Sequence, residues 1–259
     1  ADAVTVRHLL SHTSGLGNRT YTADYTAHSP FNAEISLSQL AQANLAFKPG
    51  TAYQYSNAGM TLLALIVERV SGESREDYVR RQILAPAGMS ETQFLWNLSD
   101  DDLNAYTAGY VQSGANIARV ESRGHVTASF GSGDIVSTLG DLRKWHLALK
   151  SGSLLSESSL AEMVKPVVLA DGSRSERGLA FMIGEAQGER FVYNSGDLYT
   201  HTRHAFFLHR DISVIVNANV DIEGNFDLAG RVRDQIIAKL ENTPHLEMYG
   251  EAIDVRGDY

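Results

Sequence analysis

The sequence has 259 residues, 43% hydrophobic and 20% charged, with a net charge of -9 and no cysteine. That length can bury a substantial core in one domain, and the composition is that of an ordinary globular protein. The acidic balance argues against a nucleic-acid partner. The lack of Cys excludes disulfides, thiolate metal sites and a Cys nucleophile, and no run of about 18 apolar residues exists to span a membrane.

Ala1 to Val4 carry neither the basic start nor the apolar stretch of a signal peptide. Thr5 to Ser11 reads as a short helix that ends in the loop Ser11-His-Thr-Ser-Gly15. Ser14 and His12 are too close in sequence to form a triad by adjacency and lack a Gly-x-Ser-x-Gly elbow, so this loop is read as held by its own hydroxyls. Gly17 to Asn32 is polar and reads as a surface loop. Ser36 and Gln39 form a capping-box pattern for a helix carrying Leu40, Ala43 and Phe47, stopped by Pro49-Gly50. After Tyr55-Ser-Asn57 comes an apolar helix with Leu62, Leu63, Ile66, Val67 and Val70 on its buried face, ending at Gly72. Ser74 with Asp77 caps the next helix, which Pro86 stops.

Asp100 to Val126 reads as loops with two short strands. Ser137 to Asp141 opens a helix with Leu139, Leu142, His146 and Leu149, closed by Gly152, and His146 is read as packed structure. Four short stretches, Leu179–Ile183, Arg190–Tyr193, His204–Leu208 and Ile212–Asn217, predict an antiparallel meander. A last helix, Asp227–Leu240, presents Leu228, Val232, Ile236 and Leu240 to it. Helices, then strands, then a covering helix give an α+β fold: one domain over residues 1–241 and an extended tail over 242–259.

Tyr55-Ser-Asn57 sits at a helix N-terminus, where side chains project from a rigid support and backbone N–H groups lack helical partners. With Phe47-Lys-Pro-Gly50, the run Leu62 to Met89, the segment Val4 to Gly15 and Gly133 to Leu142, it resembles the serine β-lactamase-like family. That family includes class C β-lactamases, D-alanyl-D-alanine carboxypeptidases, esterases and D-aminopeptidases. The resemblance implies a β-lactamase/transpeptidase-like fold, a small-molecule or peptide substrate, no cofactor, and a periplasmic or extracellular setting. It also implies three catalytic elements: a Ser with a Lys three residues later, a Tyr-x-Asn turn, and a Lys- or His-x-Gly on an edge strand.

By this resemblance Tyr55 takes the proton-transfer role and Asn57 orients the substrate. The third element falls on Asn194-Ser195-Gly196, expected to bind substrate, where an amide replaces the usual cation. The first element is missing. The residues three before Lys48, Lys144, Lys150, Lys165 and Lys239 are Leu45, Asp141, Leu147, Glu162 and Ile236. The family carries that pair N-terminal to the segment matching Val4 to Gly15. The first expectation is therefore a serine-hydrolase chain without its nucleophile, inactive alone and exposing a sheet edge through which it self-associates. The alternative is a non-catalytic binding or scaffold protein. His201-Thr-Arg-His204 invites a metal reading, but no third ligand supports it and the two rings fall on opposite faces of a strand.

Overall fold

The computed structural model describes residues 4–17, 33–99, 102, 106–119, 130–186, 188–198, 200–222 and 227–240. Helix α1 (Val6–Leu10) starts where the Thr5 hydroxyl accepts the His8 N–H and the His8 ring accepts the Thr5 N–H. Helix α2 (Ala33–Ala41) begins ahead of Ser36 and ends well short of Phe47. The chain leaves it because the Ala46 N–H is captured by the Gly15 carbonyl at 2.8 Å instead of continuing the helical ladder. Helix α3 (Asn57–Ser71) ends on left-handed Gly72, as its sequence predicts. Its buried face differs from the expected stripe: Ala58, Gly59, Ala64 and Leu65 are buried, and Val70 is 81% exposed. Small residues decide this. Gly59 lets α1 approach through Leu9, and Ala64 faces Gly131, so the close contacts lie on the small side of the helix.

Helix α4 (Arg75–Val79) is capped by Ser74, whose hydroxyl accepts the Asp77 N–H. It runs on through a wider π turn, Arg80–Leu84, into α5 (Ala85–Ala87), and stops at left-handed Gly88. Pro86 therefore lies inside the last turn, and the widened turn before it accommodates the amide hydrogen that proline lacks. Strand β1 (Gln93–Phe94) pairs with β4 (Ile135–Val136). Beneath them the buried Arg75 guanidinium bonds both oxygens of buried Asp134 and stacks on Phe94 and Phe130. The two predicted short strands exist as the hairpin β2 (Tyr110–Ser113) and β3 (Asn116–Arg119). Helix α6 (Leu139–Lys150) is capped by Thr138, and α7 (Glu157–Met163) by Ser156.

The meander is a four-stranded antiparallel sheet in the order β5 (Met182–Ala186), β6 (Glu189–Leu198), β7 (Thr200–Phe207), β8 (Ser213–Ala218). A short β9 (Val220–Ile222) runs parallel to β2. One sheet face packs Val192 and Phe206 against Leu149, Val164 and Trp145 from α6 and the α7 region. The other packs Ala205, Phe207 and Val214 under α8 (Leu228–Leu240). Helix α8 presents Ala229, Gly230, Ile237 and Leu240 to the sheet, and Leu228 and Ile236 face outward at 37% and 39% exposure. The buried stripe keeps Leu240 and is displaced by one residue from Leu228 to Ala229 and from Ile236 to Ile237. Asp227 explains the displacement: one carboxylate oxygen accepts the Gly230 N–H and the other holds Arg203 of β7, fixing how the helix starts. The predicted tail, 242–259, and most of the loop at 17–32 lie outside the described residues. Among the described residues no helix is long and apolar enough to cross a membrane.

Candidate functional site

Ser56, the middle residue of Tyr55-Ser-Asn57, is the anchor of the motif. It is 1% exposed and caps α3, accepting the Gly59 N–H at 3.0 Å and donating to the Gly17 carbonyl at 3.2 Å. Its own N–H donates to His12 Nδ1 at 3.2 Å, and the Gln54 N–H donates to the His12 carbonyl at 2.9 Å. The loop Ser11 to Gly15 is thus a brace for the turn. His12 adopts a left-handed backbone, φ 55°, and burial depresses its pKa to about 4, keeping Nδ1 an acceptor at neutral pH.

With Ser56 fixed, Tyr55 projects outward at 44% exposure and Asn57 forms the first residue of α3, half-buried. The Tyr55 ring lies 4.7 Å from that of His12. Burial raises the Tyr55 pKa; the charge of Arg177 opposes this, and Asp197 adds to it. Tyr55 therefore stands as a neutral phenol at neutral pH, able to donate a proton once another group has taken charge. Arg177 and Asp197, neither singled out by motif, bracket it electrostatically.

The stretch Asn194-Ser195-Gly196 lies on β6, where the strand outruns its neighbour. Pairing with β5 ends at Met182–Tyr193, and pairing with β7 continues from Asn194–His204 to Leu198–Thr200. From Asn194 to Leu198 one edge of β6 is therefore without a strand partner among the described residues. Ser195 and Gly196 are exposed, and a Cβ added to Gly196 would meet nothing within 4 Å. Asn194 turns its amide inward, donating Nδ2 to the Ala180 carbonyl at 2.8 Å. Asp197 is held by Arg203 and by His201 Nδ1, each at 2.7 Å.

The other histidines divide as the strand period requires. His204 faces α6, where its Nδ1 lies 3.0 Å from His146 Nε2; burial depresses the pKa of His204 to about 4 and of the fully buried His146 to about 3. His201 faces Asp197 instead. Among the described residues no cluster of three metal-ligating side chains forms. Sequence reasoning missed Arg177, because nothing in its spacing marks it; it precedes Gly178, where an added Cβ would lie 2.0 Å from the Met163 carbonyl oxygen.

Comparison with known proteins bears on the family and the fold. The family model described as Beta-lactamase matches residues 1–238. A penicillin-binding protein of Bacillus subtilis (strain 168) is 31% identical over 207 residues, covering 74% of this chain and 46% of its own length. A D-aminopeptidase of Brucella anthropi is 26% identical over 65% of this chain and 31% of its own length. The chain spans less than half the length of these curated relatives. Among solved structures, the D-amino acid amidase of Ochrobactrum anthropi SV3 complexed with L-phenylalanine superposes with a TM-score of 0.74 at 22% identity. That match covers 91% of this chain and 70% of the other. The α+β fold is that of β-lactamase and transpeptidase proteins, and the chain belongs to the beta-lactamase family.

Proposed function

We propose that this chain carries the proton-transfer and substrate-orienting half of an acyl-transfer site for a β-lactam, peptide or ester. Tyr55 hands a proton to the leaving group, and Asn57 holds the substrate amide. The exposed edge of β6 around Ser195 and Gly196 offers a backbone N–H to the developing oxyanion, since successive N–H groups of a strand point to opposite edges. The observation that carries this reading is the rigid Tyr55 turn combined with a strand edge that has no strand partner among the described residues and leaves open space over Gly196. The nucleophile is not among these residues, since no serine stands three before a lysine. A segment outside this sequence supplies it, and the chain alone is inactive.

Intact mass spectrometry after incubation with a penicillin, and separately with a fluorophosphonate, tests this reading. The expected result is no added mass on folded chain. A stoichiometric adduct mapped to a serine of these 259 residues would overturn it. One observation favours a second reading, a binding protein without catalysis: Asn194 commits its amide to Ala180 and puts no cation on the strand. An upstream coding segment with a Ser-x-x-Lys that restores adduct formation decides for the hydrolase.

Strand β8 pairs only with β7 among the described strands. Self-association of two copies along that edge belongs to the same reading. Sedimentation showing a monomer at all concentrations would contradict it.

A further inference from the structure

The site has a cation in an unexpected place. Arg177 lies in the connection between α7 and β5, and its guanidinium stacks 4.5 Å from the centre of the Tyr53 ring. Tyr53 meets His12 edge to face at 6.1 Å, and His12 in turn touches Tyr55. The three rings form one wall with Arg177 at its end.

Two observations point to a ligand there. Among the described residues Arg177 has no carboxylate partner, and the buried Tyr53 hydroxyl beside it has no hydrogen-bond partner. The charges beside the open edge of β6 are matched: Asp197 to Arg203 and His201, Arg203 also to Asp227. Among the described residues Arg177 is the cation that bears electrostatically on His12, Tyr53 and Tyr55 alike.

The segment is also held in place. The Arg177 carbonyl accepts the Val167 N–H at 2.8 Å, the Leu179 N–H donates to Met163, and the Ala180 N–H donates to Leu10. Gly178 leaves no room for a side chain against Met163. A guanidinium on a fixed backbone and a flat ring loses little freedom on binding, and its fork fits a carboxylate.

We propose that Arg177 is the anion-recognising residue of this site and binds the free carboxylate of an acylated amino acid or peptide held against Tyr55. The inference rests on the acyl-transfer reading of the Tyr55 turn. It names the substrate class, one bearing a carboxylate that the amide of Asn194 does not take.

The test is binding of N-acetyl-D-phenylalanine and of its uncharged carboxamide to the full 259-residue chain, followed by backbone NMR and calorimetry. The wild-type chain is expected to prefer the acid. Arg177→Gln should weaken the acid by roughly tenfold or more and leave the amide within about twofold, while Arg177→Lys retains most of the preference. The acid-to-amide ratio is read within each variant, so a loss of fold lowers both and leaves the ratio unchanged. Equal binding of acid and amide to the wild-type chain, or equal losses in an Arg177→Gln chain whose backbone NMR spectrum remains that of the folded protein, overturns the role of Arg177 and leaves the Tyr55 site intact. Failure of both ligands to move the Tyr55 and Asn57 resonances overturns the site and this inference together.

Discussion

Mild acid should lower the stability of the fold before the carboxylates titrate. His12 accepts the Ser56 N–H through Nδ1, so protonation sets one donor against another at the point that positions Tyr55 and Asn57. Its folded pKa, about 4, lies below its ordinary 6.5, as do those of His204 at about 4 and His146 at about 3. Between those values the unfolded chain binds more protons than the folded one. Stability is then complete above the ordinary histidine pKa and is lost as pH falls toward 4. Taking the pH from about 7.5 to about 5.5 should cost about 1.3 kcal/mol per histidine, roughly 4 kcal/mol for the three. Asp141 and Asp227 have depressed pKa values and contribute in the same direction at lower pH, so this window isolates the histidines. The assay is urea unfolding at both pH values, followed by circular dichroism. His12→Asn keeps an acceptor for Ser56 without a titrating ring and should remove about a third of the pH effect. An unchanged urea midpoint at the two pH values, or greater stability in acid, would refute the assignment of these rings as neutral buried groups.

Three further outcomes follow from the contacts. Ser56→Ala removes the α3 cap and leaves the Gly17 carbonyl without its donor, a loss of roughly 2 kcal/mol in the same unfolding assay. Ser56→Thr should recover most of it. Glycines 178 and 196 should behave oppositely: Gly178→Ala forces a Cβ onto backbone and should cost about 1–3 kcal/mol, whereas Gly196→Ala should leave stability within about 0.5 kcal/mol and reduce ligand binding. Arg75→Met strands the buried Asp134 carboxylate and should cost roughly 3–5 kcal/mol, with Arg75→Met/Asp134→Leu less damaging than the single change.

The parts of the fold that were legible are those set by local chemistry. Ser74 with Asp77, Gly72 after α3 and the alternation of β6 to β8 each act within a few residues, and each element formed where its signal lay. Errors arose where a neighbour decided. Helix α2 gave up its C-terminal half to a hydrogen bond with Gly15, thirty-one residues earlier in the chain. The buried faces of α3 and α8 turned on Gly59, Ala64 and Gly230, which hydrophobicity alone ranks below Leu and Ile. The site divides in the same way. Tyr55 and Asn57 were visible as a motif at a helix start, whereas Arg177 reaches them through three rings drawn from two loops and leaves no spacing to read.

Asn194 and Arg177 are joined through the backbone between them. Ala180 holds a left-handed conformation, φ 63°, which a residue with a Cβ adopts only when its surroundings fix it. Two bonds do so: its N–H donates to Leu10 and its carbonyl accepts from Asn194 Nδ2. Asn194 thus secures the turn that carries Arg177, three residues upstream, toward Tyr53 and Tyr55. The strand position that the family resemblance assigns to a cation holds instead the short amide that seats a cation on the neighbouring loop. On the proposed reading the positive charge of the site sits on Arg177 and not on β6, and the two positions are linked by the hydrogen bond from Asn194 to Ala180. Asn194→Ala should therefore act as a milder Arg177→Gln, lowering the preference for a carboxylate ligand by releasing Ala180 while the guanidinium itself stays charged.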